Sequence, residues 1–494
     1  MVNYTKRAVR GAGITLIMSI LAAVVAYVTR LVLARNLSVE EYGLFYSVFT
    51  FIILFLFFRD LGLGQALVKY MAEFKVNNQF NEIKTAIVSV FSIQLFSSII
   101  FVLIFIFSSS FLAQYYFKNP QASLILRILV FYVIFSVFFI IVKQIFQGFQ
   151  EMFFFSSMEL MKNLIVLVLI LIFFYFGQKS FAPVYAYALV CPLLFLIYAP
   201  FLFRKFNFFS YKVVHLKKIS KKLFLFGIPV FATSIGGKLI GYIDTIILTY
   251  FGTLSEVGVY NAILPSALIF LFFSKAISAV LFPLSSELWA KKDQTKLSKG
   301  LTLLYKYTFV TIIPFFLIIY VYTDVLIVKL FGLEYVSGVT AFKILLIGVS
   351  FYVLASVNNN FISGIGKPKI VMAIILSTAS LNVVLNIILI PLLSINGAAI
   401  STTLSYLMML LLSTYQTKKQ VTLKLPLKEW VTLIFPTFGF LITLAIIKSF
   451  FSFNIWFEMI VGLIIAGLVY LFLAYTFGLL NLDEIKYYSK LVRK

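Results

Sequence analysis

The sequence predicts an all-α polytopic membrane protein with about fourteen transmembrane helices. We expect two pseudo-symmetric six-helix lobes followed by two extra C-terminal helices. Three observations lead there: an apolar composition spread over the whole chain, a one-sided distribution of Lys and Arg, and an internal repeat. The 494 residues are 62% hydrophobic and 12% charged, and the mean hydropathy is +1.06. Soluble domains average roughly 45–50% apolar and about 25% charged, so no ordinary soluble domain is hidden here.

Apolar runs of spanning length, about 20 residues each, lie near 11–34, 43–66, 85–109, 122–142, 154–176, 182–203 and 223–251. They continue near 258–286, 302–322, 339–362, 370–393, 396–415, 430–449 and 456–478. The start, MVNYTKRAVRG, is basic and leads into the first run as a signal peptide would. That run continues past Leu33 with no small-residue cleavage site, so it is expected to be a retained first span.

The net charge of +24 raises the question of nucleic acid binding, and its placement answers it. With the N-terminus inside, 28 of the 41 Lys and Arg fall in inward-facing segments, five in outward-facing ones and eight within spans. Cytoplasmic segments collect Lys and Arg, so both termini are expected in the cytoplasm of a multi-pass cell-membrane protein. The positive charge then faces anionic headgroups rather than nucleic acid. The only cysteine, Cys191, lies in an apolar run and the only histidine, His215, in a basic loop. An internal disulfide is excluded, and neither a zinc site nor a catalytic site is expected.

The halves of the chain match at an offset near 215 residues: FLFFRD (55–60) with FLFFSK (270–275), Gly43 with Gly258, and Phe45 with Tyr260. Gly148 and Gly364, after the fourth and tenth spans, match at 216. An even number of spans per repeat puts both copies in the same orientation, as in parallel-repeat transporters. The expected division is a first lobe at 1–203, a basic cytoplasmic linker at 204–222, a second lobe at 223–415, and an appendix with tail at 416–494.

A charge at mid-bilayer costs roughly 2.5–3.5 kcal/mol on insertion scales, so each needs a reason. Arg127, Lys306, Lys343, Glu159 and Lys162 lie near span ends, where long side chains can snorkel. Arg30, Arg59, Asp60, Lys238, Asp244 and Lys275 lie deeper, and all are on the first two spans of each repeat. A twofold axis along the membrane normal would set those spans face to face around a net cationic cavity. Arginine offers such a cavity a bidentate fork for phosphate, and lysine a point charge. Arg59, Lys275, Arg30 and Lys238 are therefore the phosphate-binding candidates, while Asp60 and Asp244 are candidates for a coupling proton or sodium ion. Arg59–Asp60 and Lys238–Asp244 can also be read as structural pairs that hold helices together. Gly237 and Gly241, with Pro229 and Pro265, mark close packing or a bendable helix.

LARNLSVEEYGLFYSVFTF (Leu33 to Phe51) and DLGLGQALVKYMAEF (Asp60 to Phe74) together resemble the opening of Wzx-type polysaccharide-biosynthesis flippases. These belong to the multidrug/oligosaccharidyl-lipid/polysaccharide (MOP) exporter superfamily. IDTIILTYFGTLSEVGVYNA (Ile243 to Ala262), GIGKPK (Gly364 to Lys369) and LNIILIPLLSINGAAISTTLS (Leu385 to Ser405) extend the resemblance along the chain. It implies a MATE-like pair of six-helix lobes and no enzymatic step. The implied activity is movement of polyprenyl-(pyro)phosphate-linked oligosaccharide from the cytoplasmic to the outer leaflet by alternating access. Lipid-linked oligosaccharide, membrane lipids and glycan-assembly proteins are the implied partners. Arg30, Arg59 and Lys275 match the cationic positions of related lipid II flippases, and Tyr242 is the candidate sugar contact. The rival readings are a drug or cation exporter of the same superfamily, a lipid II-type flippase, and a polymerase or ligase of the same pathway. The deep cations outnumber the deep acids, which disfavours a cationic substrate, and the short outer segments disfavour the enzymes.

Overall fold

A computed structural model describes residues 4–450 and 454–480. Lys486, Lys490, Arg493 and Lys494, counted among the inward-facing charges, lie outside the described residues. Every regular element among the described residues is helical. The first six are α1 (Tyr4–Asn36), α2 (Val39–Asp60), α3 (Leu63–Val76), α4 (Phe80–Tyr115), α5 (Gln121–Gly148) and α6 (Met152–Tyr175). Next come α7 (Ala182–Lys205), α8 (Leu216–Phe251), α9 (Leu254–Ala267), α10 (Leu271–Ala290), α11 (Gln294–Val321) and α12 (Thr323–Leu330). The chain closes with α13 (Val339–Gly364), α14 (Pro368–Lys418), α15 (Leu427–Thr432), α16 (Ile434–Phe450) and α17 (Ile455–Thr476).

Among the described residues, thirteen helical stretches are long and apolar enough to cross a membrane. One of them, α14, has 51 residues, about 76 Å at 1.5 Å per residue and more than twice the hydrocarbon thickness. It breaks at Ser394, where φ is 51° and ψ −128°. Asn382 Nδ2 then donates to Thr402 Oγ1 at 3.4 Å across the break, as in a reversed hairpin. Two predicted spans, 370–393 and 396–415, occupy its arms, so the chain has the expected number of about fourteen. The second span bends where Leu61 and Gly62 both take positive φ, and the eighth passes through a 3-10 turn at Leu268–Phe270 after Pro265.

Contacts divide the chain into two compact units, Met1–Ala262 with Leu385–Gly397, and Ile263–Val384 with Ala398–Lys494. In the first unit, α1 packs on α6, α5 on α4 and α7, and α8 along α2, α3 and α4. The basic segment at 204–222 is pinned rather than loose. Lys84 Nζ donates to the Tyr211 carbonyl at 2.6 Å, and the Lys212 amide to Asn81 Oδ1 at 2.9 Å. Interior charges are matched locally: Lys143 meets Glu159 at 2.6 Å, and Lys162 bonds the other oxygen of the same carboxylate.

In the second unit, α16 and α17 pack together and close on α11 through a core of Val310, Ile318, Tyr322, Phe440, Leu444 and Tyr470. Two polar contacts fix the dock. Tyr322 Oη donates to the buried Glu458 Oε1 at 2.8 Å, and Tyr470 Oη to the Val310 carbonyl at 3.0 Å. Lys306, expected to snorkel, is instead buried on α11. Removing one partner of a buried bond leaves the other group unsatisfied, at about 1–3 kcal/mol. Tyr322→Phe should therefore lower the melting temperature of the purified protein by several degrees, whereas the exposed Lys299→Ala should leave it unchanged.

Candidate functional site

The deep charges sort into three environments. Arg59 ends α2 but does not face open space, being 1% exposed. Its Nη1 donates to the Val133 carbonyl and Ser136 Oγ, both at 2.9 Å, and to Ser98 Oγ at 3.3 Å. The guanidinium is thus enclosed among α2, α4 and α5, where it joins helices of one bundle and is not offered to a ligand. Asp60, its neighbour in sequence, is half-buried and turns toward a polar cavity. Its Oδ1 accepts from Gln94 Nε2 at 2.7 Å and from the Gly64 amide at 3.3 Å.

The second environment lies in the first unit, at the end of the bundle where α1 and α8 finish and α2 and α9 begin. Arg30 stacks its guanidinium over the Tyr46 ring, 4.5 Å from the centroid, and donates to the Asn261 carbonyl at 3.1 Å. The Asn261 side chain bonds Thr245 in turn. Beside Thr245, the buried Asp244 accepts from Tyr260 Oη at 2.7 Å and from Asn386 Nδ2 at 2.6 Å. Arg30 therefore reaches the neighbourhood of Asp244 through two intervening residues. At the same end Thr249 Oγ1 donates to Ser47 Oγ at 3.1 Å, Tyr116 Oη to the Ile246 carbonyl at 2.8 Å, and Lys118 Nζ to the Tyr250 carbonyl at 2.8 Å.

The repeat-equivalent glycines Gly43 and Gly258 meet here face to face. A Cβ on Gly43 would lie 1.8 Å from the Leu254 carbonyl oxygen and 2.8 Å from the Gly258 nitrogen. A Cβ on Gly258 would lie 2.2 Å from the Val39 oxygen. Small residues of this kind let helix backbones touch within a membrane. First-repeat helices α1 and α2 and the end of α4 are thereby tied to second-repeat helices α8 and α9, and α14 joins α8 through Asn386 on Asp244.

The third environment is the open face of α8. Lys238 is exposed, and its Nζ lies 5.7 Å from the centroid of the half-buried Tyr242 ring. Nothing lies within 4 Å of a Cβ built on Gly237 or Gly241, so this face is unfilled and the glycine pair does not serve close packing. Lys238 and Asp244 thus occupy different surroundings and are not a structural pair. Lys275 falls on α10, but its side chain lies outside the described residues.

Residues 8–289 match the model of a family described as polysaccharide biosynthesis protein. The chain belongs to that family. A membrane protein of Methanocaldococcus jannaschii described as uncharacterized, MJ1068, is 30% identical over the full length of both chains. The probable low-salt glycan biosynthesis flippase Agl15 of Haloferax volcanii is 27% identical over 51% of this chain and 54% of its own. Among solved structures, the lipid II flippase MurJ in an inward closed conformation superposes with a TM-score of 0.75. It covers 94% of this chain and 98% of its own at 15% identity. An inward-facing multidrug resistance MATE transporter of the MOP superfamily gives 0.69, covering 83% and 98% at 14% identity. This polysaccharide biosynthesis family member is therefore a multi-pass membrane protein with the MurJ/MATE fold.

The glutamines around Asp60 carry no charge and escaped notice in the sequence. Their signal is a polar pair at 144 and 147, one helical turn apart at the end of an apolar span. For the buried carboxylate, Asp244→Ala would strip the acceptor from both Tyr260 and Asn386. It should destabilise the protein by about 2–4 kcal/mol, seen as a fall in melting temperature, while Lys238→Ala leaves that temperature unchanged. Equal losses in the two variants would restore the paired-charge reading.

Proposed function

We propose that this protein is a flippase for polyprenyl-(pyro)phosphate-linked oligosaccharide, carrying the glycan head from the cytoplasmic to the outer leaflet of the cell membrane. No bond is made or broken in the step. Family membership carries the reading: the polysaccharide-biosynthesis match spans residues 8–289, and a relative named as a glycan biosynthesis flippase aligns with half the chain. The lipid-flippase fold supports it.

The one-sided Lys and Arg distribution supports cytoplasmic termini. The Gly43–Gly258 end then lies on the outer side and is held shut in this conformation. The lipid phosphate is met by Lys238 on the open face of α8, beside Tyr242. Arg30 takes it over as the outer end parts, since its guanidinium already sits on an aromatic face at that end. Arg59 serves by position, fixing α2 against α4 and α5. A proton or sodium ion at Asp244 would couple opening to an ion gradient, because its carboxylate holds the bonds of Tyr260 and Asn386. Glycan-assembly proteins of the same membrane would supply and receive the lipid.

The test is transfer of a labelled polyprenyl-pyrophosphate oligosaccharide across sealed proteoliposomes, with empty vesicles as baseline and a monophosphate carrier in parallel. Protein-dependent transfer is expected. Lys238→Ala and Arg30→Ala should each slow it roughly tenfold, the worth of one charge-assisted contact, and Lys179→Ala should not. Transfer of organic cations with neither lipid moved would replace the flippase by the exporter.

A further inference from the structure

Beside Asp60 the first unit carries an open cleft of about 440 Å3, within the ~300–1,000 Å3 usual for small-ligand sites. Such sites are lined mostly by apolar side chains, whereas five of the seven residues lining this one are polar or charged. Apart from Gly64 and Val68, its lining is Asp60, Gln65, Lys69, Gln144 and Gln147, drawn from α2, α3 and α5. Two further observations mark it as built to receive hydrogen bonds. Gln144 Oε1 is buried with no hydrogen-bond partner, and so is Oε1 of Gln94, whose Nε2 holds Asp60. Buried amide oxygens are normally satisfied, and an orphan points to a missing donor.

Position 64 is adapted to the same end. A Cβ on Gly64 would sit 1.9 Å from Gln144 Nε2 and 3.0 Å from Asp60 Oδ1, so only glycine lets the amide and the carboxylate flank one space. The exposed Lys69 holds its ammonium 4.2 Å from the Phe226 ring centroid and 4.5 Å from that of Tyr70.

We propose that this cavity is the sugar subsite of the protein, binding a hydroxyl-rich hexose unit of the lipid-linked head through Asp60, Gln65, Gln144 and Gln147. The inference rests on the flippase reading and adds the residues that recognise the glycan. A carboxylate and amide oxygens accept from sugar hydroxyls, while amide nitrogens donate to them, so neighbouring hydroxyls can be met in pairs. The buried acceptors left unpaired without a sugar are what make such a site selective, because a ligand lacking the hydroxyls leaves them unsatisfied.

The experiment measures equilibrium binding of two labelled lipids to the full chain in nanodiscs, a polyprenyl-phosphate-linked neutral disaccharide and the bare polyprenyl phosphate. Wild type should bind the glycosylated lipid about tenfold or more tightly than the bare one. Gln144→Leu should erase that preference, chiefly by weakening the glycosylated lipid. Gln65→Leu, an exposed position that folding tolerates, should reduce it several-fold. Equal binding of both lipids by wild type overturns the sugar subsite and leaves the flippase reading standing. Retention of the preference in both variants also overturns it, as does an equal loss for both lipids, which would make the cavity a cation or phosphate site. If wild type binds neither lipid, the flippase reading itself has failed.

Discussion

The backbone contact of α2 with α9 at Gly43 and Gly258 is the constraint on which the rest of the first unit depends. No side chain separates the two helices there, and the nearest atoms are backbone carbonyl and amide. Because the glycines are repeat equivalents, the crossing presents the same small residue from each side. Close approach brings Ser47 within reach of Thr249, and Arg30 within reach of Asn261. It also sets where α8 runs, and so where its open face presents Lys238.

Charge inside the membrane is handled in two ways. Arg59, Glu159 and Asp244 are matched by protein groups: serines and a carbonyl, two lysines, and a tyrosine with an amide. Matching is what makes their place inside the membrane tolerable. Lys238 and Asp60 keep an open side, one on a helix face and one in a polar cavity. A protein that moves an anionic, hydroxylated head through a bilayer needs both classes, fixed charges to hold helices and open polar groups to meet cargo.

The spans were legible because hydropathy alone requires them, and the gap between 393 and 396 falls at the Ser394 break. Gly43 and Gly258 were legible as a repeat match, though not as partners, since alignment gives equivalence and not contact. Arg59 was harder. Whether an in-span charge faces a cavity or its own bundle depends on Ser98 and Ser136, 39 and 77 residues away, and no local pattern reports them. Lys238 and Asp244 share a helix six residues apart, a spacing that leaves their surroundings independent. The polar cavity was missed because glutamine is cheap enough to sit in a span without standing out, so its meaning emerges only when α2, α3 and α5 converge.

The most direct test of the account locks the outer end. Ser47→Cys with Thr249→Cys, in a background with Cys191→Ala, replaces two hydroxyls 3.1 Å apart by thiols. The account predicts that oxidation cross-links α2 to α8 and stops lipid transfer in proteoliposomes, and that reduction restores it. A cross-linked protein that transfers lipid at the reduced rate would contradict the account, because the glycan would then cross without this end opening.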